Sequence, residues 1–143
     1  MSLFSSIDVS ASGMAAQRAR TEVLVENLAN SETTRTPEGG PYRRKDAVFT
    51  TDSSGGFGSF FDAEMGTNTG VRVAGVVTDQ RDPEKRYMPG HPDADKDGYV
   101  AYPRINPSED MVDLMDSSRG YEANVAAISA VKDMINRSLD LFK

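Results

Sequence analysis

The stretch ENLANSETTRTPEGGPYRRK, residues 26–45, decides what kind of chain this is. Its first half continues the apolar spacing of the residues before it, and its second half, rich in Thr, Pro and Gly, has no periodicity at all. A helix therefore ends here in an elaborate polar joint. Asn27 and Asn30 carry short amides that can bond the carbonyls exposed near a helix end, and Thr33, Thr34 and Thr36 have hydroxyls suited to turns. Pro37 and the pair Gly39-Gly40 then steer the chain off the helix axis, and Tyr42 follows.

Reading back from the joint, apolar or small residues fall at Phe4, Ile7, Ala11, Met14, Thr21, Val25 and Leu28, interrupted only at Arg18. Steps of three and four predict an amphipathic helix with a heptad seam. Ser5 or Ser6, with Asp8, supplies its N-terminal punctuation. Gly13, costly in a helix, marks a close approach by a neighbour.

The same pattern returns at the other end of the chain, more strongly. Met111, Leu114, Ser118, Tyr121, Val125, Ile128, Lys132, Ile135, Leu139 and Phe142 again step by three and four, widened by Met115, Val131 and Met134. Ser108, Glu109 and Asp110 suit the start of a helix, where a cap and negative charge are favourable. A helix from about Glu109 to Leu141 spans roughly 50 Å at 1.5 Å per residue. Tyr121 and Phe142 are the expected aromatic anchors, and Gly120 offers a second place of close approach.

Between the ends the sequence is Gly- and Pro-rich, with short β-prone runs at Ala47–Thr51, Gly70–Thr78, Lys85–Met88 and Tyr99–Tyr102. Asp52–Gly70 reads as a flexible insertion. The expected fold class is α+β, with long N- and C-terminal helices forming a coiled-coil-like pair around a small β-rich middle. The expected division is 1–31 for the first helix, 32–108 for the joint and middle, and 109–143 for the second helix. Two such helices have more apolar stripe than a small middle segment covers, so they are expected to pack against each other and against further copies.

Composition narrows the function. A net charge of −6 over 143 residues, with Arg43-Arg44-Lys45 as the sole basic cluster, disfavours nucleic acid. There is no cysteine, hence no disulfide, thiolate nucleophile or Cys-based metal site. The first residues lack the pattern of a cleaved secretory signal and no stretch is apolar enough for a membrane span, so any export is expected to use another route. Asp93-Ala94-Asp95-Lys96-Asp97-Gly98 imitates the start of a calcium loop, but position twelve is Arg104 rather than Glu, so a solvated turn is expected. His91 is the lone histidine, too little for a triad or a zinc site. Gly55-Gly56-Phe57-Gly58 lacks the Lys-Ser/Thr of a phosphate loop. No catalytic residue, metal or cofactor is expected.

The joint resembles the motif that follows the N-terminal helix in the axial proteins of the bacterial flagellum. The residues that carry it are Asn27-Leu28-Ala29-Asn30, Thr33, Thr34, Pro37, Gly39, Gly40 and Tyr42. TTRTPEGGPYRRK is similar to the version in proximal-rod members. The segment YMPGHPDADKDGYVAYPRINPSEDMVDLMDSSRGYEANVAAI and the ending KDMINRSLDLFK extend the likeness over nearly the whole chain.

The resemblance implies a structural subunit of the flagellar basal-body rod, exported without leader cleavage by the flagellar type III apparatus into the periplasmic rod. It implies terminal helices that form the inner layer of a hollow helical tube, which transmits torque and conducts exported subunits. The neighbours it implies are the rod proteins FlgB, FlgF and FlgG, the rod–export-gate adaptor FliE and copies of the same chain, with possible contact to surrounding rings. Alternatives are another rod- or hook-family subunit, a helical secretion adaptor, or a monomeric ligand-binding or enzymatic domain, which would need a pocket of converging polar groups.

Overall fold

The structure, a computed structural model, describes residues 3–51 and 70–140. Asp52–Thr69, which contains Gly55-Gly56-Phe57-Gly58 and all but the last residue of the expected insertion, lies outside the described residues, as does Phe142.

Helix α1 runs Leu3–Ala29 and helix α2 runs Pro107–Asp140. Between them come β1 (Lys45–Thr51), β2 (Val71–Thr78), β3 (Glu84–Tyr87) and β4 (Tyr99–Tyr102). The strands form two antiparallel hairpins, β1–β2 and β3–β4, and the fold class is α+β. In β1–β2 the register moves from Val48 opposite Gly75 to Phe49 opposite Val73, so Ala74 is an extra residue that forms a bulge.

Helix α2 is punctuated as its sequence dictates, with one change of actor. The Asn106 side chain, rather than Ser108, accepts from a first-turn amide, that of Ser108, at 3.1 Å, and Pro107 occupies the first helical position, where no donor is needed. Glu109 and Asp110 lie in the positive first turn and Arg137 in the last.

The helices lie antiparallel against each other. Arg20 reaches Asp113 at 3.2 Å. A Cβ on Gly120 would come within 3.2 Å of the Gln17 side chain, and one on Gly13 within 3.0 Å of Asn124 Oδ1. The neighbour that Gly13 and Gly120 admit is thus the other helix of the same chain. Small and polar residues make this contact, with Ser117 fully buried and Ala16 and Leu24 nearly so. Hairpin β1–β2 packs along α1, where Ser12 Oγ accepts from the Val71 amide at 3.0 Å. Among the described residues the buried hydrophobic set is small: Ala16, Leu24, Tyr42, Val100, Tyr102 and Val131.

Candidate assembly interface

The joint is a built hydrogen-bond structure. Asn27, the residue expected to serve the helix end, is fully buried and turns its amide across the chain instead. Its Oδ1 accepts from the Lys45 amide at 2.9 Å and its Nδ2 donates to the Lys45 carbonyl at 2.7 Å. One side chain thereby imitates a peptide group and pairs with the first residue of β1 as a neighbouring strand would. The Tyr42 hydroxyl donates to the same Oδ1 at 3.1 Å. Burial first, then the charge of Glu26, pushes the Tyr42 phenol up to about 12.

Asn30 does serve the helix end, donating to the Glu26 carbonyl at 2.9 Å. Thr33 donates to Asn30 Oδ1 at 3.2 Å, and the Tyr42 amide returns to the Thr33 carbonyl at 3.0 Å, closing the loop. The Thr36 amide bonds the Gly40 carbonyl at 2.9 Å. Gly39 and Gly40 both adopt positive φ, 91° and 79°, which favours glycine at each. Thr34 donates to Asp93 Oδ2 at 2.8 Å, tying the joint to the loop between β3 and β4. Pro37 is exposed on the rim.

A second tie runs from the joint to α2 and was not legible in the sequence. Arg44 Nη1 stands 2.8 Å from Oδ1 of the fully buried Asp110. The contact is of ion-pair length but off the hydrogen-bond axis, so neither Asp110 oxygen has an aligned donor. Burial raises the Asp110 carboxyl above its ordinary range, and Arg44 offsets only part of that. Burial also opposes the Arg44 charge, but Asp46 and Asp110 outweigh it and hold the guanidinium more firmly protonated than usual.

The residues expected to pack between subunits flank the helix contact rather than fill it. Phe4 is 71% exposed, and Ala11, Val25, Met111, Tyr121, Val125 and Leu139 are exposed as well. Ile7, Met14, Leu28, Leu114, Ile128 and Ile135 are half-buried. Each residue advances a helix by about 100°, so on both α1 and α2 the apolar stripe stands about 100° round from the contact, in the same sense. On antiparallel helices the same sense means the same side. Ser12 and Glu26, which touch β1–β2, stand round the other way on α1. The two stripes therefore share one side of the helix pair, and β1–β2 lies on the other. The cause is Gly13 and Gly120: they let the helices approach through small residues, which turns the larger apolar ones outward.

The Asp93–Gly98 loop and His91, which imitate chemistry in the sequence, make contacts within and beside their own turn. Asp95 Oδ1 accepts from its own turn, from the Asp97 amide at 2.9 Å and the Tyr99 amide at 2.8 Å. Asp93 faces Thr34, and no metal-holding cluster occurs among the described residues. His91 Nδ1 accepts from the Asp93 amide at 3.1 Å, and the ring meets Tyr102 edge-on. No described helix is long and apolar enough to cross a membrane.

Two family models match the chain: "Flagella basal body rod protein" over residues 7–35 and "Flagellar basal body rod FlgEFG protein C-terminal" over residues 96–141. Among curated proteins, a flagellar basal-body rod protein FlgC from Borreliella burgdorferi is 41% identical, with 100% of this chain and 99% of the relative covered. One from Bacillus subtilis is also 41% identical, with both chains covered completely. The Salmonella typhimurium protein of the same name is 37% identical over 99% of this chain and 98% of its own.

Proposed function

The chain belongs to the FlgC family of flagellar basal-body rod proteins, and from that membership we propose that it builds the proximal rod by packing its terminal helices into a hollow helical shaft. It is a structural subunit of the flagellar basal-body rod and not an enzyme. The model over the second helix is named for other axial proteins, but the relatives that match from end to end are FlgC, which disfavours a hook-family subunit or a secretion adaptor.

In this reading residues 1–31 and 109–143 form the inner tube and 32–108 the joint and outer part. Coiled-coil-like packing involves the stripe residues Phe4, Ile7, Ala11, Met14, Val25 and Leu28 on the first helix, with Met111 to Phe142 as named above on the second. The shaft transmits torque and passes exported subunits, and lies in the periplasm after type III export. Its neighbours are copies of the chain, FlgB, FlgF, FlgG and FliE. The joint, from Asn27 to Tyr42, sets the angle between inner helix and outer part.

One observation carries the reading: both apolar stripes lie on the side of the helix pair that β1–β2 leaves uncovered. Helix faces of that kind gain their stability from packing against something else. A heterologous contact that does not close into a ring generates a tube. The test replaces Val125 by Asp in a flagellated cell lacking its own copy. Loss of the variant from purified basal bodies is expected; a motile cell with normal rods would contradict the packing role.

A further inference from the structure

The hairpin β3–β4 carries unlike surfaces at its two ends. At its base, Arg43, Arg81 and Arg104 rim a narrow groove walled by Pro83 and Pro103. Arg81 is held by Asp79, through contacts of 2.6–3.0 Å, which brings the Asp79 carboxyl down to about 2. Among the described residues Arg43 meets only the Asp79 carbonyl, at 3.2 Å. Arg104 makes no hydrogen bond or ion pair among the described residues, and its charge adds a little to the lowering of the Asp79 carboxyl. The base thus holds two guanidiniums with no carboxylate bound to them.

At the tip the chemistry is reversed. Tyr87 is 65% exposed and Tyr99 and Met88 are exposed too, with the tyrosine rings edge to face at 5.4 Å. Gly98, at φ +82, lets the turn close against Tyr87: a Cβ there would sit 2.9 Å from the ring. Beside these rings stand the exposed Asp95 and Asp97, with Lys96 between them. Guanidiniums favour carboxylates and the faces of tyrosine rings, so tip and base are complementary in both charge and aromatic character. The pairing of Glu84 with Tyr102 and of Tyr87 with Tyr99 puts them at opposite ends of the hairpin, about 10 Å apart by strand rise. They cannot meet within one chain.

We propose that the tip of β3–β4, Tyr87, Tyr99, Asp95 and Asp97, docks on the Arg43–Arg81–Arg104 groove at the hairpin base of the next copy. The contact is head-to-tail, so it propagates instead of closing. It rests on the reading that the chain polymerises and adds a second, outer contact between copies.

The absence of cysteine makes the test clean. Lys96→Cys at the tip and Glu84→Cys at the base are combined in the full chain, which is expressed in a flagellated cell lacking its own copy, and isolated basal bodies are oxidised. The double variant should give covalent oligomers beyond the dimer, and each single variant at most dimers. Adding Arg104→Glu should cut those oligomers at least tenfold, and Arg104→Lys should retain most of them. A second pair, Val25→Cys with Val125→Cys, reports the helix faces. Oligomers from the helix pair with none from tip and base would overturn this docking alone. Oligomers from neither, with the subunit present in the basal body, would overturn the packing of copies through the helix stripes too.

Discussion

At the scale of residues, the joint depends on one amide. Replacing Asn27 by Ala leaves the Lys45 amide and carbonyl and the Tyr42 hydroxyl without their partner in a buried place. Since each stranded buried polar group costs about 1–3 kcal/mol, and the two Lys45 contacts are only part-buried, a loss near the low end for three groups, about 3–5 kcal/mol, is expected, read as a lowered urea midpoint. Tyr42 adds a signature in alkali. Its folded-state phenol, at about 12, lies above the ordinary value of 10.0, so the folded form holds the proton more tightly. That contribution is complete below pH 10 and is lost as pH rises from about 10 to 12. Tyr42→Phe should flatten the stability slope in that interval while costing about 1 kcal/mol for the lost hydrogen bond. Arg44→Ala strands the buried Asp110 carboxylate and is expected to cost about 3–5 kcal/mol, with Asp110→Asn in the same chain restoring most of it. The Asn and Tyr of the joint were legible as residue types. Their shared partner, Lys45, was not, because nothing in local sequence says that a side chain will pair with a backbone 18 positions on.

Among elements, the two helices and four strands of the described residues were legible, with ends displaced by a few residues, since periodicity and turn residues are local signals. The angle at which the helices meet was not. Heptad spacing points to the apolar stripe as the seam, but a seam is chosen by how closely two backbones can approach. Gly13 and Gly120, with Ser117 between the helices, permit a closer approach than the stripe residues do. Gly13→Leu should therefore push α2 away from α1. Its helix-propensity gain of up to about 1 kcal/mol is outweighed by overpacking of about 1–3 kcal/mol against Asn124. A net fall in thermal midpoint checks this, and a rise would show that Asn124 simply swings aside. The Asp93–Gly98 loop shows the opposite case. Its carboxylate spacing imitates a cation site, yet the Asp95 carboxylate accepts two amides of its own turn and Asp93 accepts from Thr34.

For the whole molecule, the apolar interior among the described residues is too small to hold two helices of 27 and 34 residues by their apolar faces. Hydrogen exchange at Phe4–Leu28 and Met111–Leu139 should be fast in the isolated subunit and slow by orders of magnitude in the assembled rod, because marginal helices are protected by packing. Equal slow exchange in both states would mean that one chain already shelters its helices. The sequence by itself determined that this protein has a long helix at each end, a polar joint after the first, a β-rich middle and no catalytic constellation. Each follows from residue type and spacing along the chain. Only the tertiary structure decided which side of each helix is spent inside the molecule, and that the two stripes emerge on one face opposite β1–β2. The deciding contacts join residues some hundred positions apart, where backbone proximity, burial and pairing, rather than local preference, set the energy.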